Sequence, residues 1–165
     1  MKKTILVLAA FILAVTTVVG DEGGPLLVRH IPPRGKSLEV APFPYTWYYR
    51  TEVENVSDRP LRIIWFQSFM FYGEGWYPGN AKGQTLRGAD FSEWYTEGDA
   101  VKNGLILPGQ TAVCDVNWHG SEEPEMPRLK WEYIAIDVDG RDVHVVAEVD
   151  PGVVRMVESK TPGRP

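Results

Sequence analysis

Cysteine is almost absent from this chain. Cys114 is the only one in 165 residues, so no disulfide can form within it. Histidine is scarce as well. His30, His119 and His144 include no pair at i, i+4 spacing and no C-x2-C companion, which speaks against a zinc site. There is no run of basic residues. With 17 basic against 22 acidic side chains the formal charge is −5, a balance that argues against nucleic acid and against an anionic membrane surface as partners. Long helical periodicity is also missing, and 13 prolines with 16 glycines disfavour a mainly helical protein.

What is present is an ordinary globular composition, 44% hydrophobic and 24% charged, which excludes wholesale disorder at a length suited to one domain. The first twenty residues stand apart. Lys2 and Lys3 precede an apolar run from Ile5 to Val19, and Val18-Val19-Gly20 leads into the polar Asp21-Glu22. A positive start, an apolar core and a small-residue exit are the parts of a secretory signal peptide, and the run is shorter than the roughly 20 residues of a membrane span. Residues 1–20 are therefore expected to be removed on export to the periplasm or beyond. Losing Lys2 and Lys3 takes the charge from −5 to −7, and no membrane insertion is expected after cleavage.

The remainder reads as short strands. Residues 21–36, rich in Gly, Pro and Arg, form an extended lead-in, and residues 37–157 are expected to form the folded domain, with 158–165 a tail. Ser37 to Val40 is a possible first strand. Tyr45 to Val56 places Tyr45, Trp47, Tyr49, Thr51 and Val53 on one parity and Thr46, Arg50, Glu52 and Glu54 on the other, a buried face and a wet one. Leu61 to Tyr72 is apolar on both parities, which a strand covered on both faces would explain. Residues 73–104 are a glycine-rich insertion in which Ala89 to Glu97 has the pattern of a short helix, with Asp90 as cap, Glu93 at the capping-box offset and Gly98 as stop. Strands resume at Leu105 and at Gln110–Trp118, where Ala112, Cys114, Val116 and Trp118 share one parity. Asp139-Gly140 then joins Lys130–Val138 to Arg141–Val149 as a hairpin, and Val153–Val157 adds an edge strand.

Such a set of strands predicts an all-β, antiparallel sandwich with one long insertion carrying a short helix. A strand ending in Asn55-Val56-Ser57-Asp58-Arg59-Pro60, a hydrophobic strand, an insertion and Leu107-Pro108-Gly109-Gln110-Thr111 opening another strand resembles bacterial extracellular immunoglobulin-like domains. The resemblance spans roughly residues 45 to 150 and implies a fold. It transfers no site residues.

Candidate chemistry is sparse. Cys114, His119 and Met126 resemble the copper loop of cupredoxins, where Cys and His ligate the metal and Met is a weak axial ligand. A second histidine would have to be His30, in the lead-in, or His144, on an outward parity. The competing reading packs Cys114 as a small hydrophobe beside Val116 and Trp118. Ser68 and Ser92 lack a nucleophile-elbow context. Glu93, Glu97, Asp99, Asp115, Glu122 and Glu123 offer carboxylates without any spacing that specifies a glycosidase. Asp137, Asp139 and Asp142 are accounted for by the hairpin turn rather than by calcium. No catalytic residue and no cofactor are expected.

The insertion is the better candidate for contact. Trp76, Tyr77, Trp94 and Tyr95, with Asn80 and Gln84 nearby, could supply apolar area to a protein partner or stack on the rings of a glycan. Phe91, Trp94 and Tyr95 could equally seal an open end of the sandwich. The expectation is a non-enzymatic interaction module whose partner is an unidentified protein, with a carbohydrate-binding module as the alternative.

Overall fold

The computed structural model describes residues 24–34, 43–79, 85–99 and 101–159. The leader, the strand expected at 37–40, Asn80, Gln84 and the tail beyond Ser159 lie outside these residues.

The first strand, β1 (Leu26–Ile31), falls within the expected lead-in. Pro25 and Pro32-Pro33 flank it rather than interrupt it. Leu26, Val28 and His30 alternate inward, so the segment has the period of a half-buried strand. Then follow β2 (Tyr45–Asn55) and β3 (Leu61–Tyr72). The insertion contributes β4 (Gly75–Pro78), β5 (Leu86–Arg87), α1 (Gly88–Trp94) and β6 (Glu97–Gly98). After it come β7 (Leu105–Ile106), β8 (Thr111–Ser121), β9 (Leu129–Ile136), β10 (Asp142–Glu148) and β11 (Arg155–Glu158).

These strands build the expected antiparallel β-sandwich. One sheet runs β1-β2-β8-β6, with β11 pairing the Tyr45–Tyr48 stretch of β2 while β1 pairs Arg50–Asn55. The other runs β10-β9-β3-β4, with β7, β5 and β4 following one another along a single edge of β3. The insertion therefore adds β4 and β5 to one sheet and β6 to the other, with α1 between them. The helix is shorter than 89–97. Asp90 sits in its first turn and accepts from the Arg87 amide at 2.6 Å, the chain leaves the helix at Tyr95, and Gly98 takes a positive φ within β6.

Turn chemistry places the strands. Buried Asn55 donates to the carbonyls of Arg59 and Ile106 at 2.7 and 2.9 Å and accepts from the Ser57 amide at 3.0 Å, tying the β2–β3 turn to β7. At the β9–β10 hairpin Asp137 accepts from the amides of Asp139 and Arg141, and Gly140 supplies the positive φ.

Two β-bulges depart from simple alternation. On β3, Ile64 is the extra residue, so Leu61 and Ile63 face the core before it and Phe66 after it. The two apolar parities of this strand arise from that switch, together with an outer layer of Trp65, Phe69 and Phe71, and not from burial under a second layer. On β8, Asp115 and Val116 together oppose Arg50. The bulge overturns the expected parity of this strand: Val116 is half-buried and Trp118 exposed, while Asn117 and His119 turn inward beside Cys114. It also brings Asp115 within 3.2 Å of Arg50. Arg50 is thus buried and ion-paired, with Glu52 at 3.0 Å as its other partner, rather than wet as its parity suggested.

At the centre of the core lies Phe66. The rings of Phe91, Trp94, Tyr95, Trp131 and Tyr133 surround it at centroid distances of 5.4–6.2 Å.

Candidate functional site

Because of its bulge, β8 turns Cys114, Asn117 and His119 toward the interior at the end of the sandwich where the insertion crosses. A cavity of about 680 Å³ opens there. Trp94 and Leu86 of the insertion, Trp131 of β9 and Met70 of β3 give it apolar walls. Phe43 and Trp118, with rings 6.1 Å apart, and Pro78-Gly79 complete its lining. Its polar groups are Ser68, Cys114, Asn117 and His119, and no charged side chain lines it among the described residues.

Behind the wall runs a buried chain of hydrogen bonds. Trp131 Nε1 donates to the Tyr49 hydroxyl at 2.7 Å, and that hydroxyl lies 3.0 Å from His119 Nδ1. Tyr49 and His119 stack with rings 5.9 Å apart, while His30 meets Tyr49 edge-on at 5.4 Å. A second set joins Asn117 Nδ2 to Thr51 Oγ1 at 2.6 Å, Thr51 to His30 Nδ1 at 3.1 Å, and His30 Nε2 to the Ala147 carbonyl at 3.4 Å. Every side chain in these sets is buried, so each polar group needs its partner.

Burial also sets the ionisation. Desolvation brings His119 down to about 4, with nearby His30 a smaller contribution, and brings His30 itself to about 4. Both imidazoles are neutral at pH 7. Desolvation pushes the Cys114 thiol up to about 11, so it is not a thiolate at neutral pH. Tyr49 is raised as well, again by burial.

Backbone approach matters at Gly79. Its amide donates to the Ser68 carbonyl at 2.8 Å, and a Cβ built there would lie 2.8 Å from both His119 Nε2 and Ser68 Oγ. Glycine lets the β4 end press against His119 and complete the wall.

The residues singled out from sequence are separated by the fold. Trp94, 40% exposed, lines the cavity and packs edge-on against Phe66 and Trp131. Tyr95 is a core residue, 1% exposed, with its ring stacked on Phe91 and its hydroxyl 2.7 Å from that of Tyr133, so it offers no surface to a partner. Trp76 lies on the outer face of β4, edge-on to Phe71, with Arg128 and Lys130 over its ring at 5.3 and 4.5 Å. Its neighbour Tyr77, 56% exposed, is outside the cavity lining. Of the copper set, Cys114 and His119 share the cavity, whereas Met126 packs against the core and does not line it. Among the described residues no three or more His, Cys, Asp or Glu side chains are grouped to hold a metal ion. His30 is in a core strand and not in a loose lead-in, and His144 faces outward, 3.5 Å from Glu132.

Sequence reasoning missed Ser68, Asn117 and Gly79 as parts of one site. Only Pro78-Gly79 carried a signal, as a turn. Asn117 was hidden because strict alternation on β8 points it outward.

Among the described residues no helix is long and apolar enough to cross a membrane. No protein-family model and no curated protein matches the chain. Among solved structures it is similar to the ApaA protein from Bordetella pertussis, at 13% identity and a TM-score of 0.44, over 87% of this chain and 97% of that one.

Proposed function

We propose that this protein is an exported, non-enzymatic binding module of the periplasm or cell envelope, an immunoglobulin-like sandwich that takes its partner into the cavity between the 73–104 insertion and β8. The cavity carries the reading. About 680 Å³ lies within the range of small-molecule sites, and aromatic walls with a few convergent polar groups are the usual make-up of one. The occupant is a small ligand or a side chain presented by a protein.

Several observations support the rest. The order β1-β2-β8-β6 facing β10-β9-β3 parallels the ABED and CFG sheets of immunoglobulin-type sandwiches. Residues 1–20 have the composition of an export signal. A neutral His119 hydrogen-bonded to a tyrosine, beside a protonated Cys114, lacks the activated pair that nucleophilic catalysis requires.

The insertion remains the contact element, through Trp94 rather than through Trp76 and Tyr77. Titrating the purified protein with acetonaphthone, followed by tryptophan emission, tests this. Trp94→Ala should weaken binding about tenfold, since the lost ring contacts are each of order 1 kcal/mol, and Tyr77→Ala should leave it unchanged. The reverse pattern would move the contact to the outer surface of the insertion and restore the glycan alternative.

A further inference from the structure

We infer that the cavity presents one donor of fixed direction, His119 Nε2–H, and therefore favours neutral aromatic ligands bearing an acceptor oxygen, such as aryl ketones, esters or ethers; this rests on the binding reading above. The direction follows from the buried chain. Indole N–H can only donate, so one lone pair of the Tyr49 oxygen is committed to Trp131. The Tyr49 hydroxyl proton must then find an acceptor, and among the described residues the only one within reach is His119 Nδ1, 3.0 Å away. A buried hydroxyl proton without an acceptor is costly, so Nδ1 is the unprotonated nitrogen. A neutral ring with Nδ1 bare carries its proton on Nε2.

That nitrogen points away from Tyr49, toward the Gly79 and Ser68 wall. It has no hydrogen-bond partner among the described residues, although His119 lines the cavity. The other polar groups set no comparable direction. Asn117 Nδ2 already gives one hydrogen to Thr51, Cys114 is a protonated thiol with little donor strength, and the Ser68 hydroxyl rotates to donate or accept. Among the described residues no carboxylate, lysine or arginine lines the space, so none of them offers a counter-charge to a cation or an anion there. An aromatic body against Trp94 and Trp131 with an oxygen accepting from Nε2 matches both the apolar walls and this fixed donor.

Two isosteric probes separate this from simple hydrophobic filling. Acetonaphthone carries a carbonyl where isopropenylnaphthalene carries a methylene group. Affinity for both would be measured by tryptophan quenching in the wild-type protein and in His119→Phe. The ratio of ketone to hydrocarbon affinity is expected to be about tenfold higher in the wild type, which is the scale of one buried hydrogen bond. Equal ratios in the two proteins would overturn the donor assignment while leaving the cavity reading intact. Binding of neither probe would remove both. Should His119→Phe fail to fold, nitrogen-15 spectra of the wild-type imidazole decide the question. Protonated Nε2 with bare Nδ1 is the expected tautomer, and a protonated Nδ1 overturns the inference.

Discussion

Mild acid should destabilise this protein, because two buried histidines take up protons where they sit only well below the pH at which the unfolded chain does. His30 and His119 are each held at about 4, against 6.5 for the solvated imidazole, chiefly by desolvation. The unfolded chain binds protons below pH 6.5 that the native protein does not bind until about pH 4, so stability is intact above 6.5 and declines as the pH falls toward 4. Between pH 7 and pH 5 the loss is about 2 kcal/mol per histidine, or about 4 kcal/mol for the pair. A domain of this size has roughly 5–15 kcal/mol in all. Urea unfolding followed by tryptophan emission at about pH 7, 6 and 5 reads this directly, and the free energy should drop by approximately two protons' worth per pH unit in the lower part of that range. Asp137 does not confuse the window. The amides of Arg141 and Asp139 hold its carboxyl below the usual 3.8, so its loss begins at lower pH. In His30→Gln the slope should fall to that of one proton. A stability that stays flat from pH 7 to pH 5 would refute the reasoning, since it would mean that the histidines are protonated or solvated in the native state.

Two further substitution and labelling experiments bear on the same region. Gly79→Ala places a methyl group 2.8 Å from His119 Nε2 and Ser68 Oγ, and should cost about 1–3 kcal/mol in urea unfolding while weakening acetonaphthone binding; unchanged stability would show that the β4 end is free to move aside. Cys114, at about 11 against an ordinary 9.0, should react with iodoacetamide at pH 8 about a hundredfold more slowly in native than in urea-unfolded protein, and equal rates would contradict its burial.

Much of the architecture was legible because it rests on local chemistry. Asn55 through Pro60, Pro108-Gly109 and Asp139-Gly140 are turns for reasons internal to those residues, and they divide the chain into strands of the right length for a sandwich. The alternation of Tyr49, Thr51 and Val53 also identified the inner face of β2. The site was far less legible. Its assembly depends on one extra residue in β8, opposite Arg50, which reverses the parity of Asn117 and His119 and aligns them with Cys114. A bulge leaves no simple periodic trace, so counting by twos sends those side chains to the wrong face. His30 was misplaced for another reason. Prolines on both sides of Leu26–Ile31 give the segment the look of an extended lead-in outside the domain, although proline at a strand's end does not disturb its ladder. Trp94 and Tyr95 are sequence neighbours with the same apparent chemistry. Phe66 packs against both, and only their burial, 40% exposed against 1%, shows that one forms a wall and the other fills the core.

The way the 73–104 insertion is woven into both sheets bears on what its deletion would do. A surface appendage could be trimmed to give a smaller, well-behaved sandwich. Here β4 and β5 cover the edge of β3 along Phe69–Tyr72 and at Trp65-Phe66, and β6 covers β8 at Ala112-Val113. Cutting the insertion out would bare an aromatic, uncharged strand edge from Phe69 to Tyr72, together with a second edge on the facing sheet. Exposed edges of that kind template strand addition between molecules. A shortened chain should therefore be lost to fibrous or amorphous aggregates before its binding could be assayed, which makes the insertion the protein's safeguard against self-association as well as the frame of its cavity.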